Sequence, residues 1–182
     1  VFGIFAIIAG MGAIAGEEES HTLDQLLANP ISRTSVLLQK AGALMTGLVG
    51  LSIALFVGLI VGSKIAGFSL SITGTAQGIL SLYMLGITLG LIALAVGAAT
   101  GRKGLAGGVA AAVGVVGFLL DTFLSIVELL DPARFISVFY YFNNSDVIIN
   151  GINLVHFLTL VGISAVAIAV SVWRFEKRDL SN

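Results

Sequence analysis

Apolar residues fill this chain in long blocks, and the polar ones fall between them. Five stretches, 1–15, 41–62, 77–100, 105–127 and 151–173, are almost continuously apolar. The last four approach or exceed the roughly 20 residues a helix needs to cross a bilayer. Strands of a membrane barrel would alternate apolar and polar over about 10 residues. These blocks are apolar on every side, and in lipid such a segment satisfies its backbone as a helix. The pattern predicts an all-α integral membrane protein: one polytopic helical bundle over residues 1–182, with about five spans. A helix over Val1–Ala15 would rise only about 22 Å, short of the roughly 30 Å hydrocarbon core. The chain also begins inside an apolar run, without Met or a basic leader. The first span is expected to be partial, with upstream elements lying outside this sequence.

Composition agrees with lipid as the main solvent. Hydrophobic residues make up 57% and charged residues 10%, against about 25% charged in a soluble domain. A net charge of −1, with Lys and Arg scattered singly, gives no basic field for nucleic acid. Orientation follows from the basic residues, which favour cytoplasmic loops. One set of loops holds Arg33, Lys40, Arg102, Lys103, Arg174, Lys177 and Arg178; the other holds only Lys64 and Arg134. This places 16–40, the turn 101–104 and the tail 174–182 in the cytoplasm, and 63–76 and 128–150 outside.

Chemistry-bearing motifs are missing. Gly97-Ala-Ala-Thr-Gly101-Arg-Lys103 has one residue too few between its glycines for a phosphate loop and continues with Gly104. The run Gly10-Met-Gly12-Ala-Ile-Ala-Gly16 has one residue too many for a dinucleotide fingerprint and follows no strand pattern. With no Cys there is no thiolate or iron–sulfur chemistry. His21 and His156 share no metal-binding spacing. Paired glutamates such as Glu17-Glu18 occur in some intramembrane proteases, but the arginine expected four residues on is Thr22 here. The expectation is a chain that is not an enzyme and binds no cofactor or metal. A membrane-embedded enzyme, or an anchor or assembly protein without transport, remains the alternative.

Small residues recur at four-residue spacing in Gly58–Gly62, Gly86–Gly90, Gly97–Gly101 and Gly104–Gly108, the pattern that lets membrane helices approach closely. Asp121 is the one carboxylate inside a predicted span, about 24 Å along its helix and near the outer headgroups. His156 begins the last span at similar depth, so the two are placed to meet. In the outer segment 128–150, Phe135, Phe139 and Phe142 fall at helical spacings beside Tyr140 and Tyr141. An interfacial aromatic segment is expected there, and Asp121, His156, Tyr140 and Tyr141 are the candidates for a translocation path or gate. Asn143-Asn144-Ser145 matches a glycosylation sequon.

The one long polar segment is Gly16–Lys40. It leads with Glu17, Glu18 and Glu19, and Thr22-Leu23-Asp24-Gln25 fits a capping box that would start a helix. Leu23, Leu26 and Leu27 share one face of that helix. Pro30 ends it, and the chain restarts near Ser32. Membrane-surface helices usually carry Lys and Arg toward anionic headgroups; an acidic lead points instead to a protein groove.

These residues resemble the permease subunits of type-2 ATP-binding-cassette (ABC) transporters. The resemblance rests on Glu18-Glu19, Thr22-Leu23, Leu26-Leu27, Pro30-Ile31-Ser32-Arg33 and Val36-Leu37-Leu38 before Lys40. Two further stretches, ARFISVFYYFNNSDVIINGI and WRFEKRDL, look like the family's last outer segment and cytoplasmic end. The sequence departs at His21, where the family usually has glycine. What the resemblance implies is a six-span permease, here lacking its first helix and part of its second, in the plasma membrane of a prokaryote. It also implies a homodimer or pseudo-dimer, most commonly an exporter. ATP and Mg would sit on a separate ATPase subunit that docks against Glu17, Glu18, Glu19, Thr22, Leu23, Leu26, Leu27 and Arg33.

Overall fold

The computed structural model describes residues 1–22, 32–124, 135–142, 147 and 151–178. All regular elements among them are helical. Helix α1 (Phe2–Met11) continues through a π-helical turn (Gly12–Gly16) into a last short turn, α2 (Glu17–Glu19). The spans α3 (Arg33–Ile65), α4 (Ile72–Thr100), α5 (Lys103–Leu124) and α7 (Leu154–Lys177) follow, with short α6 (Val138–Phe142) between the last two. All four long helices are apolar enough to cross a bilayer.

Helix boundaries follow capping chemistry rather than the edges of the apolar blocks. Ser32, Ser71 and Asn153 each cap a span, their side-chain oxygens accepting from Ser35 N at 3.2 Å, Gly74 N at 3.2 Å and Val155 N at 3.0 Å. Thus α3 starts eight residues before the apolar block that begins at Ala41, and Arg33–Lys40 form its polar first turns. At the other extreme, Gly101 ends α4 in the left-handed region, φ 68°, where glycine is unstrained.

Helix α4 is the axis of the bundle. It touches α1, α3, α5, α6 and α7, and 72% of its most apolar window is buried, against 11–28% for the other spans. Glycine makes this possible. Gly10 of α1 lies so close to the Gly90 carbonyl that a Cβ there would collide with it. A Cβ on Gly90 would meet the Ala6 oxygen at 3.0 Å and Leu44 at 2.9 Å; one on Gly86 would strike the Phe2 ring. Gly86–Gly90 is therefore a packed pair, and so is Gly97–Gly101, which faces Ala15 and the Glu18–Arg178 side chains. A Cβ added at Gly58, Gly62, Gly104 or Gly108 would meet nothing within 4 Å among the described residues. In that part of α5 it is Gly107 that packs, against the Met11 sulfur. A buried Thr88–Ser164 hydroxyl pair, 3.0 Å apart, adds a polar contact between α4 and α7.

The described part of the outer segment is not a ribbon lying flat. Ser137 Oγ donates to Gly117 O of α5 at 2.7 Å, and Phe139 meets Phe118 edge-on with centroids 5.6 Å apart. Phe139 and Phe142 pack toward the core, whereas Phe135 is 60% exposed.

Candidate functional site

The three glutamates occupy the C-terminal turn of the first helical rod, not the lead of a second helix. That is the negative end of the helix dipole, where carboxylates are unfavourable without cations. Each glutamate finds a partner on a different element. Glu17 pairs with Lys40 of α3, and Glu18 with Arg178 just beyond α7. Glu19 accepts the Lys103 backbone N–H at 2.8 Å, capping α5 from another helix. The π-turn before them adds one residue to the helical repeat and so shifts the phase at which the glutamates leave the rod.

A second set of contacts closes the ring. Arg33 Nη1 donates to Phe175 O at 3.2 Å and Arg178 O at 2.6 Å, capping the end of α7, and its guanidinium lies over the Phe175 ring. Thr34 bonds to Glu176. The side chains of Glu18 and Arg178 are 13% and 17% exposed and those of Glu17 and Lys40 are 25% and 29%, so the first pair is the better shielded from water. Glu17 Oε2 and Arg178 Nε are buried without a hydrogen-bond partner among the described residues. Four helix ends thus meet in one ionic junction.

The chain leaves this junction through a Schellman turn. Thr22 N donates to Glu17 O at 2.9 Å and His21 N to Glu18 O at 3.0 Å, with His21 itself at φ 55°. The departure from glycine at position 21 falls on the residue whose backbone adopts a glycine-favouring conformation. The Thr22 hydroxyl donates back to Glu17 O at 3.1 Å and sits 3.0 Å from Ser20 Oγ, while the rest of the expected capping box, Leu23 to Gln25, lies outside the described residues. Leu23, Leu26, Leu27, Gln25 and Pro30 lie outside the described residues. The acidic lead is also largely neutralised within the chain, so repulsion from anionic lipid no longer argues for a protein partner.

At the opposite end of the bundle, His156 sits between Tyr140 and Tyr141, with ring centroids 5.1 and 5.5 Å away. Its Nδ1 is buried without a hydrogen-bond partner among the described residues. Asp121 is only 2% exposed, not at a water-washed edge, and makes interactions of its own. The Asp121–His156 contact that their similar depth allows is not among the described contacts; the histidine's ring neighbours are the tyrosines. Among the described residues no cluster of His, Asp and Glu could hold a metal.

Sequence reasoning assigned Arg33 to an external partner and missed Lys40, Lys103, Arg178 and Glu176 as parts of this site. The available signal was economy. In a chain with so few charges, an acidic triplet calls for cations elsewhere in the same chain.

The model of the ABC-2 family transporter proteins matches residues 1–180. The chain belongs to that family. No curated protein and no solved structure matches it. The bundle, the spans and the junction are accordingly those of a multi-pass ABC-2 membrane component, a transport protein rather than a catalytic one. In this ABC-2 permease the ionic junction brackets segment 23–31, since Thr22 and Ser32 stand at its two ends.

Proposed function

We propose that this ABC-2 permease is the membrane half of an ATP-driven exporter in a prokaryotic plasma membrane. In this reading it works as a homodimer or pseudo-dimer and is driven by a separate ATPase subunit that carries ATP and Mg. The residues between Thr22 and Ser32 are the coupling element. Leu23, Leu26 and Leu27 fill a groove on the ATPase, and the glutamates work inward. The observation that carries this division of labour is that Glu17, Glu18 and Glu19 already have partners on α3, on the chain after α7 and on α5. A push on 23–31 would then reach three spans through the junction, biasing the bundle between two arrangements. The far end, with His156 between Tyr140 and Tyr141, and buried Asp121 on α5 are the gate of this reading.

The test is co-purification with an ABC ATPase subunit from the same genome, followed by ATPase and transport assays in vesicles. Leu26→Asp is expected to lose the ATPase from the complex. Glu18→Gln is expected to keep it while transport per ATP falls several-fold. If Glu18→Gln releases the ATPase as fully as Leu26→Asp, the glutamates are docking residues and the division fails. Unchanged transport in Asp121→Asn would remove that residue from the gate.

A further inference from the structure

The half of α3 farthest from the junction is hardly covered: Ile53 is 59% and Val57 52% exposed. Between this half and α4 runs a groove of about 330 Å³ lined by Val49, Ser52, Ile53, Phe56, Ile79 and Tyr83 among others. That is the size of a small-ligand site, with walls almost wholly apolar. Tyr83 closes its lower end, the hydroxyl donating to Met45 O at 3.4 Å.

Ser52 explains why the groove is open. Several hydroxyls on these spans bond back one turn: Thr46 to Gly42 O at 2.8 Å, Thr88 to Met84 O at 2.9 Å, Thr159 to Val155 O at 2.9 Å and Ser171 to Ala167 O at 2.7 Å. Ser52 Oγ is buried and makes no hydrogen bond among the described residues. Its contribution is room rather than a bond, on a helix where leucine or isoleucine would fill the space.

Charge sits above the groove. Phe56, Ile60 and Lys64 form one i, i+4, i+8 ridge of α3, which puts Lys64 about 12 Å beyond Phe56. Lys64 is exposed and has no ion-pair partner among the described residues. From Lys64 down to Ile53 is about 16 Å, close to half of the roughly 30 Å hydrocarbon thickness. An anionic group at the membrane surface and a chain one leaflet long match this layout in both charge and length.

We propose that the α3–α4 groove binds an anionic phospholipid of the bilayer, its headgroup at Lys64 and one acyl chain along Ile53 and Ser52. This is independent of the ATPase-coupling reading above. The test uses the protein with its one tryptophan, Trp173, replaced by Phe. A single tryptophan is returned as Ile53→Trp, or as Val115→Trp on lipid-exposed α5 for reference. In phosphatidylcholine vesicles, brominated phosphatidylglycerol is compared with brominated phosphatidylcholine as quencher. At position 53 the anionic lipid should be enriched about fivefold, what one lysine near an anionic headgroup is worth. Lys64→Gln should abolish the enrichment, Ser52→Phe should reduce quenching by both lipids, and position 115 should show no preference. Equal quenching by the two lipids at position 53 would reduce the groove to ordinary lipid contact. No quenching by either would mean that protein, such as a second copy of the chain, covers it. Either result overturns the proposal.

Discussion

The two ends of the bundle are closed by different chemistry. At the junction end, charges do it: Glu17 with Lys40, Glu18 with Arg178, Glu19 on the start of α5, and Arg33 on the end of α7. At the far end, rings do it: Phe118, Phe139 and Phe142 in a chain of edge contacts, and His156 between two tyrosines. Ring packing buries large apolar surfaces in preferred edge-on geometries, and it carries no net charge for salt to screen. Ion pairs and charge-assisted hydrogen bonds depend on position and can be exchanged between alternative partners. Only 10% of residues are charged, and the gathering of this many at one end makes that end the one that position-dependent contacts hold together.

Both ends hang on α4, and the strongest test of the comparison is to remove what they share. Gly90→Leu drives a side chain into the Ala6 oxygen and Leu44. Overpacking of this kind costs about 3 kcal/mol, and here it forces α1 off the axis. Unfolding in mixed micelles should show a loss of that size, with both ends released together. Gly58→Leu introduces the same side chain where nothing lies within 4 Å, and its unfolding midpoint should stay at the wild-type value. Equal losses in the two variants would mean that Gly90 is no closer to its neighbours than Gly58.

Next in size are changes confined to one end. Arg178→Ala leaves Glu18 without its cation in a largely buried setting, a loss of about 2 kcal/mol. The exchange Glu18→Arg with Arg178→Glu should recover part of it. Tyr141→Phe removes only the 2.8 Å hydrogen bond to Phe135 O, about 1 kcal/mol. Raising salt separates the two ends further. The Arg178→Ala deficit shrinks as screening weakens the wild-type pair, while the Tyr141→Phe deficit stays constant. A salt-independent Arg178→Ala deficit would count against an ionic junction.

The spans were legible in the sequence because lipid leaves the backbone one solution, so a long apolar block reads directly as a helix. Their starts were less legible. Pro30 marked the restart near Ser32, but Ser71 and Asn153 begin helices with residues that hydropathy scores as polar, and only capping chemistry marks them. Glycine spacing gave four candidate pairs, of which Gly86–Gly90 and Gly97–Gly101 are packed. The motif says that a helix can be approached, and nothing in it says whether a neighbour comes. For the junction, the sequence singled out Glu17–Glu19 and Arg33 but not their partners. Glu18 and Arg178 are 160 residues apart, and such a pairing depends on which helix ends the fold gathers. The acidic triplet read as a polar lead upstream of a helix starting at Thr22 because the apolar block stops at Ala15, whereas the first helical rod itself runs on to Glu19.

The smallest effect concerns the turn by which the chain leaves the junction. His21 holds φ 55° at the position after the cap of this helix end, a conformation that costs a non-glycine residue about 1–2 kcal/mol. Substituting glycine removes that strain but loosens the unfolded chain, which returns about 0.4–1 kcal/mol. The balance for His21→Gly is a gain of about 0.5 kcal/mol. It should appear as a slightly raised unfolding midpoint, with the Glu17 and Glu18 contacts intact. His21→Val shares the strain and adds a β-branched side chain, so it should fall below wild type. If His21→Gly instead lowered stability, the histidine ring would be making a contact worth more than the strain it imposes. The junction would then be held by its exit turn as well as by its charges.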